Sequence, residues 1–131
     1  MQIAQQLSIF LANKPGTLAE VCEVLSEDGI NIFGMTISDT TDHAVVRMVV
    51  SNPDKALFLL EERGVLVVEN SVLLTENVNK PGAFGKIAGK LAKGKINIEY
   101  AYLATSPGSK RGLAVLRVSD TKKAMKLLAD D

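Results

Sequence analysis

Two hydrophobic periods alternate along this chain. Gln6–Leu11 reads as a strand, and Leu18, Val21, Cys22 and Leu25 then fall at i, i+3, i+4 and i+7, the spacing of one apolar stripe on a helix. The spacing predicts a helix over Thr17–Glu27, ended at Asp28-Gly29, where glycine tolerates the left-handed conformation of a C-terminal cap. Thr17-Leu18-Ala19-Glu20 has the form of a capping box, hydroxyl and carboxylate each satisfying a backbone N–H. Ile30–Ile37 and His43–Val50 follow as strands joined by the polar turn Ser38–Asp42. Pro53 opens a second helix at its first position, with Ala56, Leu57, Leu59 and Leu60 apolar and Gly64 after it, and Val65–Val68 reads as a fourth strand.

A shift of 66 residues lays this pattern on itself. Asn13-Lys14-Pro15-Gly16 falls on Asn79-Lys80-Pro81-Gly82, the stripe Leu18, Val21, Cys22, Leu25 on Phe84, Ile87, Ala88, Leu91, and Ile30-Asn31-Ile32 on Ile96-Asn97-Ile98. Past the loop Thr105–Gly112 the offset becomes 68, with Val50-Ser51 on Val118-Ser119 and Ala56 on Ala124. Turn, stripe and Ile-Asn-Ile together exceed coincidence. Each copy is predicted as βαββαβ, an α+β architecture with a split antiparallel sheet and both helices on one face. The expected domains are 1–70 and 71–131, the second lacking its last strand because the counterpart of Val65–Val68 would begin beyond residue 131. Its first helix carries Gly85 and Gly89, each costing about 1 kcal/mol against Ala, and has Ala83 in place of Thr17. It is expected to be the weaker of the two.

Composition narrows the function. An apolar share of 47% over 131 residues is enough for packed cores, without a single Trp. No apolar run approaches the roughly 18–20 residues of a membrane span, and the first residues lack the pattern of a signal peptide. The lone Cys22 excludes an internal disulfide, a CxxC redox pair and the CxxC of a metal chaperone of the same topology. A cytoplasmic protein is expected. His43 is the only histidine and has no nucleophile or carboxylate constellation to act with, so no catalytic residue, cofactor or metal is expected. The net charge of zero hides a split: residues 1–70 hold 4 Lys+Arg against 10 Asp+Glu, and residues 71–131 hold 11 against 5. On the first helix of each copy, Glu20 and Glu27 are exchanged for Lys86 and Lys93. The βαββαβ order is shared with the RNA-recognition motif, but the aromatic residues that stack bases are missing, and no nucleic-acid partner is expected.

The repeated turn carries the candidate chemistry. A strand, a stiff Pro-Gly turn and a helix N-terminus leave backbone N–H groups pointing outward, where an anion is favoured. Gly16 and Gly82 allow close approach, Pro15 and Pro81 lower the ordering cost, and Asn13, Asn79, Asn31 and Asn97 supply amide donors and acceptors. Such groups suit a small zwitterion, an α-amino acid. Spacing alone leaves open whether the asparagines do more than cap turns.

Asn-Lys-Pro-Gly-x-Leu, an amphipathic helix and Gly-Ile-Asn-Ile resemble the ACT domain, a ferredoxin-like regulatory module that binds amino acids; here two copies cover nearly the whole chain. The resemblance implies a non-enzymatic, homodimeric protein that binds an amino acid where two ACT domains meet and signals to a partner enzyme of amino-acid metabolism. It implies ligand contacts at Asn13, Pro15, Gly16, Asn31 and Ile32, and at Asn79, Pro81, Gly82, Asn97 and Ile98. The first set is expected to bind more tightly, since Lys95 stands where the first copy has Gly29. The alternatives are a regulatory subunit of acetolactate synthase sensing branched-chain amino acids, or a structural dimerisation module with no ligand.

Overall fold

The computed structural model describes residues 1–40 and 42–129. The elements run β1 (Gln2–Ala12), α1 (Thr17–Glu27), β2 (Ile32–Asp39), β3 (His43–Val50), α2 (Pro53–Glu62), β4 (Leu66–Val78), α3 (Ala83–Lys93), β5 (Ile98–Ala104), β6 (Arg111–Val118) and α4 (Thr121–Leu128). Of the expected turn Ser38–Asp42, Thr41 lies outside the described residues. The chain forms two compact units, Gln5–Asn70 and Met1–Ala4 with Ser71–Asp131.

In the first unit the strand order is β2-β3-β1-β4, that of a split βαββαβ sheet. The register Leu7↔Met48, Ile9↔Val46, Leu11↔Ala44 sets these apolar side chains on one face. There they bury Val21 and Leu25 of α1 and Ala56 and Leu60 of α2. Period 2 on the strands and period 3.6 on the helices meet in one core, which is why a single sequence pattern specifies both layers.

The second unit repeats the plan as β1-β4-β6-β5. Leu73 pairs with Leu116, and both pack with Leu91, Ala124 and Leu128. No strand follows α4 among the described residues. Met1–Ala4 belongs to this unit, and Gln2–Ala4 of it lies in β1, beside β4, the position a fourth strand of the second copy takes.

Local details follow the sequence with some corrections. The second strand begins at Ile32 rather than Ile30, and the fourth runs Leu66–Val78 rather than stopping at Val68. Cys22, expected in the core, is half-buried. The capping box does not form. Gly16 takes the N-cap position with φ 92°, so Thr17 is already inside the helix. Its hydroxyl turns back instead, donating to the Ala12 carbonyl at 2.9 Å and the Lys14 carbonyl at 3.1 Å. Side-chain caps occur on the other helix of each copy, where Asn52 accepts from Lys55 N and Asp120 accepts from Lys123 N. Gly29 adopts φ 70°, and its counterpart Lys95 is held at φ 61°, a left-handed conformation costing a non-glycine residue roughly 1–2 kcal/mol. A Cβ added at Gly85 or Gly89 would meet nothing within 4 Å, so packing does not require either glycine.

Candidate functional site

The two turns are built alike. Gly16 and Gly82 have φ 92° and 85°, and no side chain caps either α1 or α3. The first intrahelical bonds are Glu20 N to Gly16 O and Lys86 N to Gly82 O, both 3.0 Å. The N–H groups of the three residues before each of these have no partner inside the helix. Each turn thus enters its helix through a left-handed glycine, with N–H groups at the helix start that have no partner inside the helix.

Asparagine holds each turn to the neighbouring loop. Asn13 N donates to Asp42 O at 3.0 Å, and its Nδ2 donates to Thr40 O at 3.1 Å. Asn79 N donates to Lys110 O at 2.9 Å, and its Nδ2 donates to Ser109 O at 2.7 Å. The structural role of these side chains is thus real, and it occupies their amide nitrogens. Asn31 and Asn97 work through their backbones. Asn31 N donates to Ser51 Oγ at 2.9 Å and Asn31 O accepts from Ser51 N, and Asn97 and Ser119 repeat the exchange. The Asn31 and Asn97 residues are exposed, while Ile32 and Ile98 are half-buried against their cores.

These groups do not converge inside a unit. Asn13 lies beside the start of β3 and Asn31 beside its end, and eight strand residues at about 3.3 Å each separate the two by roughly 25 Å. The same holds for Asn79 and Asn97 along β6. One unit offers either the turn or the second-strand asparagine to a given small molecule, never both.

The surroundings of the two turns differ. In the second unit a cavity of about 200 Å³ opens at the turn, lined by Asn79, Gly82, Phe84, Leu103, Thr105 and Leu113 among others. Against the helices, equivalent residues line a cleft of about 410 Å³ with Thr17, Glu20, Val21 and Leu60, and one of about 1010 Å³ with Ala83, Lys86, Ile87 and Leu128. The first is acidic, with Glu23 and Glu27 added, and the second basic, with Lys80 and Arg111 added. Arg111 also faces Glu76 at 3.7 Å. Among the described residues no group of three or more His, Cys, Asp or Glu is placed to hold a metal. No helix among them is long and apolar enough to cross a membrane.

The duplicated βαββαβ units and their matched Pro-Gly turns agree with a family profile described as an ACT domain pair, which matches residues 1–131. The chain belongs to the ACT domain pair family. Protein BT0572 from Bacteroides thetaiotaomicron is 36% identical, with a TM-score of 0.92 over 98% of this chain and 88% of that one. The regulatory subunit of aspartate kinase from Thermus thermophilus shares the fold at 20% identity and TM-score 0.72, covering 99% of this chain and 97% of its own. The corresponding subunit from Thermus flavus does so at 20% and 0.67, covering 99% and 92%. No curated protein sequence matches. The tandem ferredoxin-like architecture expected from the repeat is thus the architecture of the family. No motif or periodicity marks Asn77, a buried polar residue two positions before the turn.

Proposed function

We propose that this ACT domain pair is a non-catalytic regulatory protein that binds a small amino acid and passes the binding event to an enzyme of amino-acid metabolism. The observation that carries this is the twice-built turn, a left-handed glycine ahead of a helix N-terminus that no side chain caps. A carboxylate suits those N–H groups. The fold shared with regulatory subunits of aspartate kinase supports a regulatory part. Because the turn and the second-strand asparagine lie at opposite ends of a unit, a ligand touching both takes them from two ACT domains. Binding then stabilises one arrangement of domains over another, which is how it becomes a signal.

A thermal-shift screen of the twenty amino acids tests this. A ligand at a hundred times its Kd stabilises the folded state by about 2.7 kcal/mol, a rise of several degrees. Asn31→Ala is the informative variant, because the fold uses only the backbone of Asn31. The shift is expected to be lost in Asn31→Ala with the ligand-free melting temperature unchanged. No response to any amino acid would leave a purely structural module as the reading.

The second copy needed for such a site is proposed to be another molecule of this chain. β2 is the outermost strand in the order of its unit, and Phe33, Met35 and Ile37 on it are 53%, 40% and 47% exposed. An open edge with exposed apolar side chains favours pairing with a second copy. Light scattering is expected to read a two-chain mass for the natural protein and a one-chain mass for Ile37→Lys. An unchanged mass in the variant would place the interface elsewhere.

A further inference from the structure

The two copies diverge at one cross-strand pair below the turn. In the first copy Leu11 pairs with Ala44, and Leu11 is part of the apolar core. At the same place in the second copy Asn77 pairs with Gly112. Asn77 is 8% exposed, and its Oδ1 accepts no hydrogen bond among the described residues. A buried amide oxygen without a donor is uncommon in folded proteins and calls for a partner. Asn77 and Gly112 both line the cavity at the second turn. The missing side chain at 112 is not incidental, since a Cβ there would stand 2.7 Å from Ala104 O and 2.8 Å from Thr105 Cβ, both residues of the same cavity wall. Exchanging Leu and Ala for Asn and Gly has put a polar group and room where the first copy has packed apolar atoms.

The remaining lining complements it. Phe84 and Gly85 are in the first turn of α3, where N–H groups lack partners inside the helix, and both line the cavity with Lys80. No acidic residue sits in that first turn, whereas the first turn of α1 holds Glu20. One cavity is therefore lined by both an amide acceptor and a positive helix terminus. The cavity volume of about 200 Å³ is below the roughly 300–1,000 Å³ of pockets for drug-sized ligands. From this we infer that the second unit holds the ammonium-and-carboxylate site of the protein, with Asn77 as its buried anchor. The ammonium of the guest donates to Asn77, whose terminal torsion is soft and two-fold so that the amide turns its oxygen to the donor. The carboxylate lies against the N–H groups of Phe84 and Gly85 and near Lys80. This inference rests on the amino-acid-binding reading above, names a contact outside the residues of the turn and second strand, and reverses the expectation that the first turn binds more tightly.

The test uses the ¹⁵N-labelled full chain, titrated with each of the twenty amino acids, and with acetate and methylamine as the separate halves of a zwitterion. One or more amino acids are expected to move the Asn77 side-chain amide and the Phe84 and Gly85 backbone amides together, saturably, at least ten times more tightly than either half. Asn77→Leu, which writes the first-copy residue into the second copy, is expected to weaken that binding at least tenfold, and Asn77→Ala serves the same end if the leucine variant misfolds. Amino-acid binding that survives unchanged in both variants overturns the inference and leaves the regulatory reading standing. Movement confined to other amides, with only an ordered water at Asn77, overturns it likewise. Binding of no amino acid to the natural chain overturns both.

Discussion

Leu73→Ala is expected to destabilise the protein by about 2–5 kcal/mol, the range for truncating a fully buried leucine. Leu73 is 0% exposed, at the centre of the second core, opposite Leu116, which is also 0% exposed. The lost methyl groups remove transfer energy, and the hole they leave removes contacts that the neighbours recover only in part. This unit has little to spare. Its buried cluster holds eight residues among those described, against twelve in the first, its leading helix contains two glycines that packing does not require, and Lys95 is held left-handed. Denaturant titration measures the loss, and hydrogen exchange locates it. Protection is expected to fall first in α3, β5 and β6, because local opening follows the least densely packed part of a structure. A loss below about 1 kcal/mol would mean that β4 does not anchor this core.

Asn77→Leu is expected to have the opposite sign without ligand, stabilising the free protein by about 1–3 kcal/mol, the cost of a buried polar group left without a partner. The first copy already shows the apolar solution, with Leu11 seated in its core at the equivalent position. The cavity beside Asn77 gives the leucine side chain space, so overpacking does not cancel the gain. Melting temperatures of the two proteins without ligand are the direct reading. Destabilisation by the leucine would show that Asn77 is satisfied within the folded protein and that its burial is structural. Stabilisation paired with lost binding is the trade expected where a site keeps a polar group that the core alone would reject.

The repeat makes much of this legible in the sequence. The stripe Leu18, Val21, Leu25 and its partner Phe84, Ile87, Leu91 lie against the cores because a period of 3.6 admits only one buried face. Gly29 adopts the left-handed conformation its position in the cap suggested, and the structure adds the same conformation at Gly16 and Gly82. The capping box does not form, since the motif does not reveal whether the glycine or the threonine stops being helical first, and here Gly16 takes the N-cap position. Asn77 was hidden for a different reason. The shift of 66 lays it on Leu11, but a polar residue after Glu76 gives no sign of burial by itself, and its 8% exposure opposite Gly112 shows that it faces inward.

By itself the sequence determined the two βαββαβ copies, their matched turns and the charge of each helix, because all of these depend on neighbours close along the chain. The tertiary structure decided three things that depend on residues distant in sequence. The start of β1, Gln2–Ala4, belongs to the second unit and lies beside β4 there. The turn asparagine and the second-strand asparagine are held at opposite ends of each unit, because a strand runs the length of the sheet between them. A buried amide stands beside a cavity in one copy, where the other has leucine, because β4 meets β6 in a register that sets Asn77 against a glycine.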